Sequence, residues 1–398
     1  MTLLFKELGL DQKNYRTYTD FFCFLSLSSI SAEDIMAITR QAGYAVSDIN
    51  RPKASIVVDA KSGDILWQDN IDTPRDPASL SKLFTLYLLF QDLAKGDITL
   101  DTTITATETD QAIASIYEIS NNNIVAGVDY PIRDLISMTV VPSSNAATVM
   151  LANYLSANDA SAFIDRINKT AGELGMANTR FTNASGAIAE SFQGYYKPDR
   201  YDLSAPNVTT ARDLAILIRA FINRYPELLE FTNQSTVRTM VGTPYEEEFH
   251  SYNHSLPDGQ YGLEGVDGIK TGSSPSAAFN VIVTAKRGQN RLITIVMGVG
   301  EWSDQNGEFF RHPFANALTE KGFTDIRELS KSKRQKLEKL NPHKKRHKHQ
   351  RRQKENQEAE SEGIELYIEE HYTIILICLV VFLVIVLAFA VVLFILGR

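Results

Sequence analysis

The residues best placed to do chemistry are a serine and a lysine three apart. The stretch Pro77-Ala78-Ser79-Leu80-Ser81-Lys82 opens into the apolar run Leu83-Phe84-Thr85-Leu86-Tyr87-Leu88-Leu89-Phe90. On a helix, residues three apart share a face, so the Lys82 amine can lie beside the Ser79 hydroxyl. Burial favours the neutral amine, which can then act as a base toward that hydroxyl. Pro77 suits a helix start, and the apolar run predicts that the rest of the helix is buried. The chemistry these residues point to is a serine acyl-enzyme.

Placement separates this Ser-x-x-Lys from chance copies. A second copy at Ser330 to Lys333 lies in a charged stretch with no pocket to lower a lysine pKa. Ser-x-Asn occurs at Ser120, Ser143, Ser156 and Ser251, but only Ser143-Ser144-Asn145 follows a proline and opens an apolar helical run, Ala146 to Ala152. Lys61-Ser62-Gly63 reads as a turn, whereas Lys270-Thr271-Gly272 occurs once and precedes strands.

The elements that must position these residues follow from local pattern. Ile56-Val57-Val58 and Ile65-Leu66-Trp67, separated by Lys61-Ser62-Gly63-Asp64, predict a hairpin within 54–70. Gly96 ends the Ser79 helix, and 132–155 reads as a second helical region. Thr210-Ala211-Arg212-Asp213 has the form of a capping box and starts an amphipathic helix. Val281-Ile282-Val283 and Leu292 to Met297 read as strands about the turn 286–290. Strands at both ends with helices between them predict an α+β domain, its single antiparallel sheet built from the terminal segments with helices packed on it.

The chain has 398 residues, 44% hydrophobic and 22% charged, with a net charge of -8, so nucleic-acid binding is not a property of the whole chain. Its two cysteines, Cys23 and Cys378, sit in apolar segments near the ends, which leaves the middle without a disulfide framework. His343, His347 and His349 lie in a basic run, and His250 and His254 have no evident third ligand, so neither metal nor cofactor is expected. Four stretches are expected: an atypical signal segment over 1–32, a catalytic domain over 33–330, a charged linker over 331–371, and a transmembrane helix over 372–396. The linker has twelve Lys or Arg against one acid between Lys331 and Lys354. The 25 residues of the last stretch are uncharged and almost wholly apolar, enough at about 1.5 Å each to cross a hydrocarbon core of roughly 30 Å. Arg398 behind it favours a cytoplasmic C-terminus.

Ser-x-x-Lys, Ser-x-Asn and Lys-Thr-Gly in this order are the trio of penicillin-binding proteins and class A β-lactamases. The resemblance extends to Leu174-Gly175-Met176-Ala177-Asn178-Thr179-Arg180-Phe181-Thr182-Asn183, which resembles a connector of the D-alanyl-D-alanine carboxypeptidases of peptidase family S11, the low-molecular-mass penicillin-binding proteins. Asn70-Ile71-Asp72-Thr73, Val208 to Asp213 and Asp267 to Ser274 look most like the staphylococcal type. The resemblance covers about Ser55 to Phe323; beyond it a charged linker stands where the family usually has a small β-rich domain before its anchor.

The resemblance implies a β-lactamase-like fold, β-lactam binding, and action on stem peptides of peptidoglycan ending in D-Ala-D-Ala, outside the membrane of a Gram-positive-type cell. By the same resemblance Ser79 is the nucleophile, Lys82 its base and Ser143 a proton relay. Asn145 holds the substrate backbone and orients Lys82. Lys270 and Thr271 hold the terminal carboxylate, Gly272 allows close approach, and the Ser79 and Ser273 amides form the oxyanion hole. Glu118 is a candidate for the cleft wall, with a solvated surface role the plainer expectation. Transpeptidation is the variant in which a second stem-peptide amine replaces water. A serine β-lactamase, which needs a dedicated deacylation base, and a non-catalytic tethered scaffold are the rival readings.

Overall fold

Strand-forming segments from the two ends of the catalytic region meet in one sheet. The computed structural model describes residues 33–340 and the single positions 376 and 382. Strands β1 (Ala54–Asp59) and β2 (Ile65–Asp69) form the expected hairpin. Strands β7 (Val266–Ser274), β8 (Ala278–Arg287) and β9 (Asn290–Val299) form a meander. β9 pairs with β1, so the antiparallel order is β2-β1-β9-β8-β7, with β7 at an edge. Two further two-stranded sheets stand apart, β3 (Thr103–Thr105) with β4 (Asp129–Pro131), and the hairpin β5 (Thr236–Thr239) with β6 (Glu247–His250).

The sheet is buried on both faces, and its side chains alternate between two cores as the pleat requires. Ile56, Ile282 and Ile295 enter one core, while Val57, Val281 and Val296 enter the other. The first core packs against α2 (Lys82–Lys95), α4 (Ile132–Val140), α5 (Asn145–Leu155), α6 (Ala160–Leu174), α7 (Ala211–Arg224) and α8 (Leu228–Thr232). The short α3 (Glu108–Ala114) adds Ile113 to it. The second core is closed by α1 (Ile35–Gln41) and by Phe314, Leu318 and Phe323 of α9 (Gly307–Leu340).

Cross-strand register decides which way the Lys-Thr-Gly strand faces. Residues directly opposite in a ladder share a face. Lys270 lies opposite Ile282, which lies opposite Ile295, so Lys270 and Gly272 face the helical core. Thr271 and Ser273, opposite Val281 and Phe279, face α9.

Three local features differ from the sequence expectation. Ser79 lies in a 3-10 turn, Ala78–Ser81, immediately before α2 rather than in its first turn. The helical region 132–155 breaks at Val141 to Ser144, where Pro142 supplies no amide and the Ser144 hydroxyl accepts Ala147 N–H at 3.1 Å to cap α5. The Thr210 capping box is half formed: Thr210 accepts Asp213 N–H, but the Asp213 carboxylate accepts Asn178 N–H and the Thr179 hydroxyl instead, each at 2.8 Å. That choice ties α7 to the connector.

Two units are distinguished, Met1–Ile326 and Arg327–Arg398. Helix α9 includes the first ten residues of the expected linker. The rest of it, the signal segment 1–32 and the transmembrane helix 372–396, apart from the single positions 376 and 382, lie outside the described residues. Among the described residues no helix is long and apolar enough to cross a membrane.

Helix α2 is buried without interruption from Lys82 to Phe90, so its apolar side chains dominate this side of the core. Phe84 meets Phe181 and Tyr87 edge-on at centroid distances of 5.3 and 6.3 Å. Phe84→Ala is expected to cost about 3 to 5 kcal/mol of unfolding free energy in denaturant melts; a loss below about 1 kcal/mol would contradict this packing.

Candidate active site

The 3-10 turn explains how Lys82 reaches Ser79. Residues three apart eclipse one another in that helix, which sets the lysine over the serine. Asp76 anchors the turn: one carboxylate oxygen accepts Ala78 N–H at 2.7 Å, and the other accepts the Ser274 and Ser276 hydroxyls at 2.8 and 2.5 Å. Asn280 Nδ2 donates to the Asp76 carbonyl at 3.1 Å. The turn is thereby fastened to β7 and β8.

Lys82 is fully buried, with its Nζ 2.8 Å from Asn145 Oδ1, 3.0 Å from the Ser185 carbonyl and 3.0 Å from Ser79 Oγ. Burial first, and the nearby Lys270 charge second, hold its pKa well below the usual lysine value. A neutral amine has two hydrogens and one lone pair. Asn145 Oδ1 and the Ser185 carbonyl can only accept, so they take both hydrogens and leave the lone pair for the Ser79 hydroxyl. The Asn145 amide is held in that orientation because its Nδ2 donates to the Ser120 carbonyl at 2.9 Å.

Ser143 sits in the break before α5 with a φ of 62°, its hydroxyl buried and without a hydrogen-bond partner among the described residues. The strand residues close the other side. Lys270 is buried and donates to the Thr271 carbonyl at 3.1 Å; burial and the nearby Arg311 lower its pKa to about 7. At Gly272 a Cβ would lie 2.7 Å from the Pro77 carbonyl oxygen and 3.0 Å from the Ser79 amide nitrogen. Gly186 is tighter still, since its Cβ would fall 1.9 Å from the Ala78 oxygen. Both glycines let backbone touch the nucleophile turn.

Ser79, Lys82 and Asn145 are therefore joined directly, and Gly272 by backbone approach. Lys270 acts on Lys82 through charge. Glu118 is exposed, as the plainer expectation had it. His250 is exposed and His254 stacks on Phe309, and no metal-binding group forms among the described residues.

Two participants had no sequence signal. The Ser185 carbonyl is backbone, which any residue provides. Arg311, on α9, is 1% exposed and donates to Ser273 Oγ at 2.9 Å. Its pKa is drawn down to about 10 by burial, against the opposing Glu308 carboxylate 3.6 Å away, so it remains a cation at neutral pH.

The sequence model of the family described as peptidase S11, D-alanyl-D-alanine carboxypeptidase, matches residues 40–301. The chain belongs to this family. It is similar to the D-alanyl-D-alanine carboxypeptidases DacF of Bacillus subtilis, at 25% identity over 68% of this chain, and DacA of Escherichia coli, at 29% over 70%. It spans 64% and 63% of those relatives' lengths. Among solved structures it is similar to a peptidoglycan synthesis regulatory factor (PBP3) from Streptococcus pneumoniae, at 27% identity and a TM-score of 0.62, covering 68% of this chain and 73% of that one. Penicillin-binding protein D2 from Listeria monocytogenes, in its ampicillin-bound form, aligns at 29% identity and a TM-score of 0.55, covering 68% of this chain and 97% of that one. These matches bear out the S11 resemblance and the mixed fold with its antiparallel sheet.

In an S11 protein with these two lysines, acylation should follow a bell-shaped pH profile. It falls in acid as Lys82 gains its proton. It falls in base as Lys270, with a pKa of about 7 in the free protein, loses the charge that attracts an anionic ligand. Second-order acylation rates with a fluorescent penicillin measure both limbs, and a flat profile would contradict the assignment. Gly272→Ala must push β7 off the Ser79 turn, and the same assay should lose about a hundredfold in rate.

Proposed function

We propose that the chain is a serine D-alanyl-D-alanine carboxypeptidase that forms an acyl-enzyme on Ser79. The observation that carries this reading is the buried Lys82 amine, 3.0 Å from Ser79 Oγ, with its two hydrogens directed at Asn145 Oδ1 and the Ser185 carbonyl. As Ser79 Oγ attacks the carbonyl of the penultimate D-alanine, Lys82 accepts the hydroxyl proton. Collapse of the tetrahedral intermediate breaks the peptide bond. Ser143, whose hydroxyl has no partner among the described residues, passes a proton to the departing amine of the terminal D-alanine. Water then hydrolyses the ester; a second stem-peptide amine taking its place would give transpeptidation.

Lys270, Thr271 and Arg311 supply the cationic and hydroxyl donors for the terminal carboxylate. Gly272 brings strand backbone against the nucleophile, the Ser79 and Ser273 amides stabilise the oxyanion, and Asn145 meets the substrate backbone. β-Lactams acylate the same serine, as the ampicillin- and cefotaxime-bound forms of the Listeria relative suggest. The β-lactamase reading is less favoured because Ser79 and Lys82 hydrogen-bond to no carboxylate among the described residues, and Glu190 is exposed.

We assign the staphylococcal sub-type on the sequence segments named above. We also place the catalytic domain outside the cell, tethered by residues 372–396, on the strength of that uncharged apolar run. Protease added to intact cells should then remove the domain.

The decisive experiment pairs a stem pentapeptide with a penicillin. The intact chain should release D-alanine and carry one stable penicillin adduct. Ser79→Ala should lose at least about a thousandfold in release and all labelling. Rapid multiple turnover of penicillin would favour the β-lactamase reading, and neither reaction would leave the scaffold.

A further inference from the structure

The acyl-enzyme scheme leaves unused three consecutive asparagines, Asn121-Asn122-Asn123, on the loop between α3 and β4. The preceding residue already serves the site, because the Ser120 carbonyl accepts both the backbone N–H and the side-chain Nδ2 of Asn145, each at 2.9 Å. Asn121 clamps two helix ends together. Its Nδ2 donates to the Ile113 and Ile116 carbonyls at 2.8 and 3.2 Å, and its Oδ1 accepts Ala146 N–H at 2.9 Å in the first turn of α5.

Asn122 and Asn123 continue the line outward. Asn122 Nδ2 donates at 2.9 Å, and Asn123 N–H at 3.2 Å, to the two carboxylate oxygens of Glu247 on β6. On the same hairpin Arg238 pairs with Glu246 and Glu248, so the Glu247 carboxylate is directed at the loop instead. Charge-assisted bonds of this kind are stronger than neutral ones and fix direction. A line of hydrogen bonds and covalent neighbours thus runs from Glu247 through Asn122 and Asn123, Ser120 and Asn145 to the Lys82 amine.

We infer that Glu247 is a positioning residue for the proposed reaction, acting from a separate hairpin by pinning the asparagine loop that sets the Asn145 amide and hence the Lys82 lone pair. The inference rests on the acyl-enzyme reading above. It separates rate from capture of the ligand carboxylate, because the residues that hold that group come from β7 and α9, to which this line does not run.

Progress curves of acylation of the full chain by a fluorescent penicillin, at a series of concentrations, give a limiting rate, a half-saturating concentration and a final labelled fraction. Glu247→Ala should lower the limiting rate about tenfold, with the half-saturating concentration changed far less and the labelled fraction unchanged. Glu247→Gln keeps one acceptor oxygen and should fall between. Glu248→Ala should match the unsubstituted chain. Asn121→Ala should slow acylation in the same manner, and adding Glu247→Ala to it should slow it by less than the product of the two single effects. A normal limiting rate in Glu247→Ala, or a reduced labelled fraction whose remainder reacts normally, would overturn the inference alone. No labelling of the unsubstituted chain would overturn the acyl-enzyme reading and this inference with it.

Discussion

The site depends on one amine being kept out of water. An ammonium taken into a protein interior is costly unless it is paired, and the hydrogen-bond partners offered to Lys82 are neutral oxygens. The cheaper state is the uncharged amine, and its geometry then follows from hydrogen counting. The unbroken burial of α2 from Lys82 to Phe90 is what makes this possible. Packing and basicity are therefore one property of this helix. A polar face beside Lys82 would readmit water and restore its proton.

Around that amine three distant parts of the chain meet at backbone distance. The 3-10 turn comes from the first third of the domain, Ser185-Gly186 from the connector, and Gly272 from the edge strand. Side chains would keep these segments apart, so glycine stands at two of the contacts. Asp76 binds the turn to the strand hairpin, and Asn183 Oδ1 accepts the Ser185 and Gly186 N–H groups at 3.2 and 2.6 Å, fixing the connector carbonyl on Lys82.

Much of this was legible in the chain because chemistry demands particular residue types at short spacing. Ser79, Lys82 and Asn145 could be named from motif and context, and the structure bonds them. The terminal strands and the antiparallel sheet could be read from alternation and turn residues. Less legible was anything set by backbone conformation or tertiary burial. The 3-10 turn at Ser79 and the break at Ser143 depend on local dihedral angles that side-chain pattern only hints at. Arg311 looks like a surface residue in a helix with charged neighbours, and only the register that turns Ser273 toward α9 explains its burial. The Thr210 pattern predicts that Asp213 caps its own helix, but the connector's Asn178 N–H and Thr179 hydroxyl donate to its carboxylate instead.

The edge position of β7 carries a further consequence. Unpaired sheet edges invite other extended chains to add to them, and proteins commonly hide them to prevent aggregation. Here the nucleophile turn lies against the edge at Gly272 while Lys270 and Arg311 set cations beside it. The proposed substrate, a peptide ending in a carboxylate, would extend the sheet beside these groups. The cover that guards the sheet against unwanted pairing is then also one wall of the proposed site.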